Sequence, residues 1–240
     1  YGQNVNAGTT SMSGVARQSN AIKKSGYCGK ISIVGSHVQA LPKETLEKEN
    51  SVDFVFLGEG VYSILEILKK TDLSKESLLE CEGIAFRDGD RVVFTKSSKP
   101  VNGSDMDIDL PGYAWDLLPY RKKPFDLYRS PLWHANYIDE DRSPYAAIQT
   151  SLGCQFKCSF CMINLINKDD SSEISLASNY NRMRHWSVDT VNNQFKKLVE
   201  MGVKTIRVTD EMFFLNKKYY VPIIRNLVKL NKKDDLKLWA

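Results

Sequence analysis

The sequence lacks the features of a membrane-spanning or secreted chain. No stretch approaches the roughly 18 consecutive apolar residues that a transmembrane helix needs, and the N-terminus has no apolar signal-peptide segment. A basic run with interleaved aromatic residues is also missing, and the net charge of +4 is modest. We therefore predict no transmembrane segment, and the composition indicates no nucleic-acid partner.

Cysteine is scarce, with five residues among 240, and three of the five are crowded together. An odd and clustered set favours reduced, metal-binding thiols over a disulfide framework, and it predicts a cytoplasmic compartment. Cys28 and Cys81 stand apart and are expected to be ordinary buried or partly buried thiols. Hydrophobic residues at 42% and charged residues at 26% are usual for a globular protein.

Strands and helices alternate over the first seventy residues. Short strands are predicted at 5–9, 31–34 and 52–57, each followed by a helix. This alternation indicates an open, parallel, Rossmann-like sheet, and such sheets bind ligands beyond the carboxyl ends of their strands. The candidate binding residues are the small or polar ones at those ends: Thr9, Thr10, Ser11, Gly35, Ser36, His37, Gly58, Glu59 and Gly60.

The pattern changes after the third helix. Residues 83–95 alternate around Asp88-Gly-Asp90, which predicts a β-hairpin. Residues 99–144 carry six of the eight prolines and little periodicity, so we interpret them as a connector. The aromatic segment 110–119 within the connector is expected to be a docked strap rather than a free tether.

The last hundred residues predict the opening of a (β/α) barrel. Strands are expected at 145–150 and 204–209, a helix begins after Ser187 and ends at Gly202, and a second helix begins at Asn216. A polar loop is expected over 162–186. Functional groups in such barrels lie at the carboxyl ends of the strands, where this sequence places the cysteine cluster and Asp210-Glu211.

The cysteine cluster has the spacing C-x-x-x-C-x-x-C, formed by Cys154, Cys158 and Cys161. Thiolates on one short loop converge on a soft metal or an iron–sulfur cluster at small entropic cost. Three thiolates are one fewer than an electron-transfer cluster uses, so a four-iron cluster held here would keep one iron open for chemistry. The alternative is a structural zinc knuckle completed by a histidine such as His185.

With Phe160 just before its last cysteine, the motif resembles the signature of the radical S-adenosylmethionine (radical SAM) enzymes. Residues 35–42 and 53–60 are similar to the cobalamin-binding domain of the subgroup that carries one. The hairpin and the strap are similar to the connector of the same subgroup. The resemblance therefore extends over nearly the whole chain.

The resemblance implies an α/β fold in three parts. Residues 1–72 would form a partial Rossmann-like cobalamin-binding-type domain, and residues 73–144 the hairpin and connector. Residues 145–240 would form the first part of a (β/α)6 radical SAM partial barrel. Because the chain opens at Tyr1 without methionine and closes on a strand-like segment, we expect a piece of a longer protein.

The resemblance also implies the chemistry. Cys154, Cys158 and Cys161 would hold a 4Fe-4S cluster whose open iron binds S-adenosylmethionine, and reduction would release a 5′-deoxyadenosyl radical. Phe160 would lie near the adenine, and Asp210 or Glu211 would accept a hydrogen bond from the methionyl ammonium. A small-molecule or biosynthetic-intermediate substrate and an external electron donor are the expected partners.

Two departures concern cobalamin. The D-x-H-x-x-G element that supplies a cobalt-ligating histidine is missing, so His37 is not assigned as a cobalt ligand. The usual Gly-Gly of the strand-end loop is Gly35-Ser36 here. Three hypotheses follow: a cobalamin-dependent radical SAM enzyme, a radical SAM enzyme that keeps the Rossmann-like domain only as a scaffold, and a non-catalytic, zinc-stabilised binding module.

Overall fold

The protein is represented by a computed structural model that describes residues 12–121, 144–156, 183–231 and 236–240. Its contacts divide the chain into two compact units. Among the described residues, the first unit contains 12–101 with Gln155 and Phe156, and the second contains 102–121, 144–154, 183–231 and 236–240. The domain boundaries after residues 72 and 144 remain predictions.

The first unit is built on a sheet of four strands in the order β1-β2-β3-β4. The strands are β1 (Ser32–Ile33), β2 (Phe54–Phe56), β3 (Ile84–Asp88) and β4 (Arg91–Phe94). The pair β1–β2 is parallel, whereas β3 is antiparallel to β2 and β4 is antiparallel to β3. The predicted hairpin is therefore confirmed, and it extends the same sheet.

Side chains of this sheet alternate between two apolar clusters, as the period of two in a strand requires. One cluster contains Phe54, Phe56, Leu78, Cys81, Ile84 and Phe86. The other contains Val38, Leu46, Val52, Val55 and Ala85. Apolar residues cover both faces of β2, which explains why its sequence is a continuous apolar run.

Five helices occur among the described residues of the first unit. They are α1 (Met12–Lys24), α2 (Ser36–Ala40), α3 (Pro42–Lys48), α4 (Val61–Lys69) and α5 (Lys75–Leu79). Helices α1, α3 and α4 confirm the prediction, whereas α5, capped by the Ser74 side chain, was not predicted. Ser36 and His37 were expected in a loop, but they begin α2 directly after Gly35.

The second unit contains a parallel sheet of three strands in the order β5-β8-β9. Its strands are β5 (Tyr145–Ile148), β8 (Thr205–Val208) and β9 (Lys237–Trp239). Two further strands, β6 (Ser151–Leu152) and β7 (Arg184–His185), form an antiparallel pair. The loop predicted over 162–186 is therefore wrong at its end, because Arg184 and His185 pair with the segment before Cys154.

The helices of the second unit are α6 (Met106–Asp109), α7 (Val188–Glu200) and α8 (Lys217–Leu230). Ser187 caps α7, Gly202 follows it with a φ of 90°, and the Asn216 side chain caps α8, all as predicted. The sequence spacing predicts that the apolar face of α8 consists of Tyr220, Ile223, Ile224, Leu227 and Val228. This prediction is partly wrong. Tyr219 is buried, whereas Val228 on the predicted face is 70% exposed.

The aromatic strap packs onto the second unit. Trp115 is 5% exposed, and its Nε1 donates to Gln194 Oε1 of α7 at 3.1 Å. Trp186 Nε1 donates to the Leu110 carbonyl at 2.6 Å, and Lys197 pairs with Asp116 at 3.0 Å. These contacts confirm that the segment is docked.

The fold is thus a mixed α/β arrangement with parallel strand pairs in both units. Closure into a partial barrel remains a prediction. Within the described ranges, no helix combines the length and the apolar character needed to cross a bilayer.

Candidate functional site

The carboxyl ends of β5 and β8 lie side by side in the second unit. The two strands are parallel, and Ile148 pairs with Val208 at the end of the register. Thr209 N extends this pairing by donating to the Ile148 carbonyl at 2.9 Å. The register therefore brings Thr150, which leads to the cysteine motif, next to Asp210.

The Asp210 carboxylate joins the two strand ends through three hydrogen bonds. Its Oδ1 accepts from Thr150 N, and its Oδ2 accepts from Thr150 Oγ1 and from Ser151 Oγ, each at 2.6 Å. Thr150 is fully buried and Ser151 is 3% exposed. Hydrogen bonds from neutral donors offset part of the cost of placing a carboxylate in this buried environment.

Burial also controls the protonation of this region. It raises the pKa of Asp210 above its ordinary value, although the bonds from Ser151 and Thr150 and the nearby His185 act in the opposite direction. Burial lowers the pKa of His185, against the attraction of Asp210. The polar groups around Thr150 therefore belong to one electrostatic network.

The same strand end is held from its other side. The Thr150 carbonyl accepts a hydrogen bond from Tyr219 Oη at 2.7 Å and another from Trp186 N at 3.3 Å. The His185 ring lies edge-on to Tyr219, with centroids 4.4 Å apart. One residue earlier, Gln149 N donates to Tyr113 Oη at 2.9 Å. Three consecutive residues before the cysteine motif are thus fixed by side chains.

Of the three predicted cluster ligands, the structure describes Cys154. It is partly buried and follows Gly153, whose φ of 86° turns the chain away from β6. Cys158, Cys161 and Phe160 lie outside the described residues. No group of three or more His, Cys, Asp or Glu side chains able to hold a metal occurs within the described part of the chain.

Glu211 differs from Asp210 in its surroundings. It is exposed, and no described residue donates a hydrogen bond to its carboxylate. Partial desolvation and the negative charge of Asp210 raise its pKa. Among the described residues, Asp210 has three hydrogen-bond donors and Glu211 has none, so Glu211 is the better placed of the two predicted carboxylates for a cationic ligand.

The predicted cobalamin residues that the structure describes meet at one edge of the first unit's sheet. Gly35 and Gly58 follow the neighbouring parallel strands β1 and β2, with φ values of 132° and 69°. Space around Gly35 is open, whereas a Cβ on Gly60 would lie 3.1 Å from Val34. Thr9, Thr10 and Ser11 lie outside the described residues.

Three other residues of this edge have contacts within the first unit. Glu59 Oε2 accepts from Val101 N at 3.0 Å, which connects the strand-end loop to the end of the hairpin segment. Ser36 is buried at 6% exposure, and His37 is half-buried in α2. The Cβ position of Gly35 faces open space just beyond the end of β1, where sheets of this kind bind ligands.

The network around Thr150 is not predicted by the sequence. Three members of the network can be located in the sequence. Thr150 and Ser151 lie between a buried strand and the cysteines, and Tyr219 lies in the helix after β8. Two hydroxyl residues at the end of an apolar strand are a usable signal, because buried hydroxyls need partners. The sequence does not show that Asp210 supplies them.

The chain is similar in sequence to known proteins. No protein-family model matches the chain. It is 28% identical over 190 residues to an uncharacterized methyltransferase of Pyrococcus horikoshii, covering 79% of this chain and 35% of that protein. It is 25% identical over 207 residues to an anaerobic magnesium-protoporphyrin IX monomethyl ester cyclase of Cereibacter sphaeroides, covering 85% of this chain and 29% of that protein. The chain therefore spans about a third of the length of these relatives.

The fold is similar to that of TsrM, a radical S-adenosylmethionine methyltransferase from Kitasatospora setae. The TM-score is 0.56 at 15% identity, with 94% of this chain and 39% of TsrM covered. TsrM has been solved with tryptophan and a SAM analogue, and with cobalamin and a [4Fe-4S] cluster. Those ligands of TsrM are the cofactors that the present sequence predicts. These relatives agree with the resemblance predicted from the sequence: the chain is similar in sequence to a methyltransferase and a cyclase, and in fold to a radical SAM methyltransferase that has been solved with cobalamin.

Proposed function

We propose that the protein is a radical SAM enzyme in which Cys154, Cys158 and Cys161 hold a 4Fe-4S cluster. The observation that carries this proposal is the three-cysteine motif, which begins at the carboxyl end of β5 beside the acidic end of β8. When bound, such a cluster supplies the electron for reductive cleavage of S-adenosylmethionine to a 5′-deoxyadenosyl radical. The residues of this chain supply ligands, orientation and charge.

Glu211 is the proposed partner of the methionyl ammonium. Its carboxylate is exposed at the end of β8, whereas three donors from Thr150 and Ser151 already occupy Asp210. A hydrogen bond from an ammonium group to a carboxylate is charge-assisted and is therefore stronger than a hydrogen bond between neutral groups. Glu211 has acceptor positions for such a bond. Phe160 is proposed to contact the adenine, as the resemblance implies.

Cluster binding is tested by single Cys→Ser variants with a matched cysteine control. After anaerobic reconstitution with iron and sulfide, the full-length wild type should hold about four iron atoms per chain. Substitution of Cys154, Cys158 or Cys161 should abolish most of the iron signal and the absorption of the cluster. Cys28→Ser is the control, because Cys28 lies outside the motif and is exposed, which corrects the prediction that it is buried or partly buried. Zinc in place of iron in the wild type would instead support the binding-module hypothesis.

We further propose that the glycine-lined edge of the first unit binds cobalamin, and that the enzyme performs methyl transfer or a related radical step in biosynthesis. The open space at Gly35 and the parallel ends of β1 and β2 support this proposal. The relatives, a methyltransferase and a cyclase, leave both reaction types open. The substrate is proposed to be a small molecule or biosynthetic intermediate, with an external electron donor.

Cobalamin binding is tested by titration of the full-length protein with hydroxocobalamin, followed by absorbance. Gly35→Val should weaken binding about tenfold or more, because a side chain would enter the proposed contact surface. Gly26→Val is the matched control, since Gly26 also has a positive φ of 89° and open space around its Cβ position. Wild type that binds no cobalamin would favour the scaffold hypothesis.

A further inference from the structure

The hydrogen bonds of Asp210 converge on the segment that leads into the cysteine motif. Thr150 and Ser151 precede Cys154 by four and three residues, and all three donors to Asp210 come from these two residues. Cys154 itself is separated from the last of them by Leu152 and Gly153. The orientation of Thr150 and Ser151 therefore sets the direction in which the chain leaves for the first cysteine.

Thr150 is held on two sides by elements that follow β7 in sequence. Its N–H and hydroxyl donate to Asp210 after β8, and its carbonyl accepts from Tyr219 of α8. Thr150 is 0% exposed and Tyr219 is 9% exposed, so water does not compete for these bonds. A backbone unit bonded through both its N–H and its C=O to side chains has little rotational freedom.

The sheet does not need this carboxylate to stay paired. Strands β5 and β8 are already joined in register over four residues each, and Thr209 N continues the pairing to Ile148. A carboxylate in a buried position costs free energy unless it is fully bonded. Sheet stability alone therefore does not explain why a carboxylate, Asp210, directly follows Thr209 at the end of the paired strands.

We propose that Asp210 and Tyr219 are positioning residues that clamp Thr150 and so fix the start of the cysteine motif. This inference rests on the proposed function, because it assigns the clamp to the loop that would hold the cluster. The clamp orients the chain before Cys154, while Glu211, the next residue after Asp210, remains exposed for a ligand.

The clamp is tested first in iron-free protein. In full-length apoprotein, Asp210→Asn should increase amide hydrogen exchange at residues 149–151 and accelerate alkylation of Cys154 by iodoacetamide about tenfold. Tyr219→Phe should have the same effects and should retain its ring contact with His185. Asp116→Asn and Tyr220→Phe are matched controls, since Asp116 is an exposed partner of Lys197 and Tyr220 is the neighbour of Tyr219 on α8. The proposal would be overturned if Asp210→Asn and Tyr219→Phe showed the same amide exchange and the same rate of Cys154 alkylation as these controls.

The second arm uses reconstituted protein. Asp210→Asn and Thr150→Val should hold wild-type amounts of iron, yet show an altered electron paramagnetic resonance signal of the reduced cluster and about 10–100-fold slower 5′-deoxyadenosine formation. Thr150→Ser, which keeps the hydroxyl and the N–H, should restore the wild-type signal. The double variant Asp210→Asn/Thr150→Val should be no worse than the more impaired single variant. An unchanged signal with only a lower melting temperature would show a merely structural role.

The two arms separate the clamp from the proposed function. Wild type that takes up no iron–sulfur cluster would reject the proposed function, because the three cysteines would then lack their assigned role. Amide hydrogen exchange and alkylation of Cys154 in the iron-free protein would still decide whether Asp210 and Tyr219 fix the segment before Cys154.

Discussion

Gly83 shows the effect of a single backbone position on the first unit. Its φ is 71°, and a Cβ there would lie 2.5 Å from Ser63 Oγ and 2.6 Å from Ser98 Cβ. Gly89 in the hairpin turn has a similar φ of 58° but open space around it. The two positions therefore share the strain of a positive φ and differ in crowding.

We predict that Gly83→Ala lowers the free energy of unfolding by about 2–4 kcal/mol, as the sum of backbone strain and overpacking. Gly89→Ala should cost only about 1 kcal/mol, because strain alone applies. Urea unfolding of both variants gives the difference. Equal costs at the two positions would show that the space around Gly83 adapts freely.

Asp53 makes the stability of the first unit depend on pH. Burial acts to raise its pKa, but the Ile31 N–H and the two ammonium groups of Lys23 and Lys30 together lower it below its ordinary value. A carboxyl group whose pKa is lower in the folded state stabilises that state above its unfolded pKa. This contribution is lost as the pH falls through the folded pKa.

We predict that Asp53→Asn lowers the free energy of unfolding at pH 7 by about 1 kcal/mol, since both ion pairs are partly exposed. The difference from wild type should shrink below about pH 4, where the wild-type carboxyl also loses its charge. Chemical unfolding at several pH values measures both effects. Asp90→Asn, at an exposed position of the hairpin turn, is the control, and a difference that grows with acid would contradict the assignment.

At the scale of elements, helix α7 depends on its N-cap residue, Ser187. The Ser187 side chain accepts a hydrogen bond from Thr190 N at 3.1 Å, while its own N–H donates to Asp107. The helix carries the buried residues Val191, Phe195 and Leu198. The loss of its cap therefore weakens the packing of the helix in the second unit.

Ser187→Ala is expected to lower the free energy of unfolding by about 1 kcal/mol, because one N–H of the first turn loses its acceptor. Ser187→Asn should retain most of this stability, since its amide oxygen can also cap the helix and it adds no second carboxylate beside Asp107. Thermal unfolding of the three proteins measures the change. A substantial loss in Ser187→Asn would indicate that the hydroxyl matters for another reason.

The elements that the sequence predicts well are those whose signals are local. The hairpin at Asp88-Gly-Asp90, the cap at Ser187 and the end of α7 at Gly202 depend on turn and capping chemistry within a few residues. Val228 was wrongly placed on the buried face of α8, because its sequence spacing fits the apolar stripe. The buried residues of this helix are Tyr219, Ile223 and Leu227, and Tyr219 also contacts the His185 ring.

Part of the candidate site can likewise be predicted from the sequence, and part of it cannot. The cysteine spacing predicts a cluster from sequence alone, and the placement of Asp210 beside the start of that motif follows from parallel strand order. The clamp on Thr150 does not follow, because its partners Asp210 and Tyr219 are 60 and 69 residues distant and their pairing depends on register. Cys158, Cys161 and Phe160 lie outside the described residues, so their roles remain predictions.

At the scale of the whole molecule, the two units divide the proposed cofactors between them. Glycines at the ends of β1 and β2 form the proposed cobalamin surface, and the ends of β5 and β8 form the proposed cluster surface. The chain spans only 35% and 29% of the length of its curated relatives. The substrate of the whole protein is therefore a proposal. The proposals for the two surfaces are independent and can fail separately.

The cysteine motif is proposed to direct reductive cleavage of S-adenosylmethionine. The most direct measurement is 5′-deoxyadenosine produced by the anaerobically reconstituted full-length protein with S-adenosylmethionine and a reductant. We predict production by the wild type and by Cys28→Ser, and none by the variant with Cys154, Cys158 and Cys161 all changed to alanine. Iron-loaded wild type that forms no 5′-deoxyadenosine, or a triple variant that still forms it, would contradict the account.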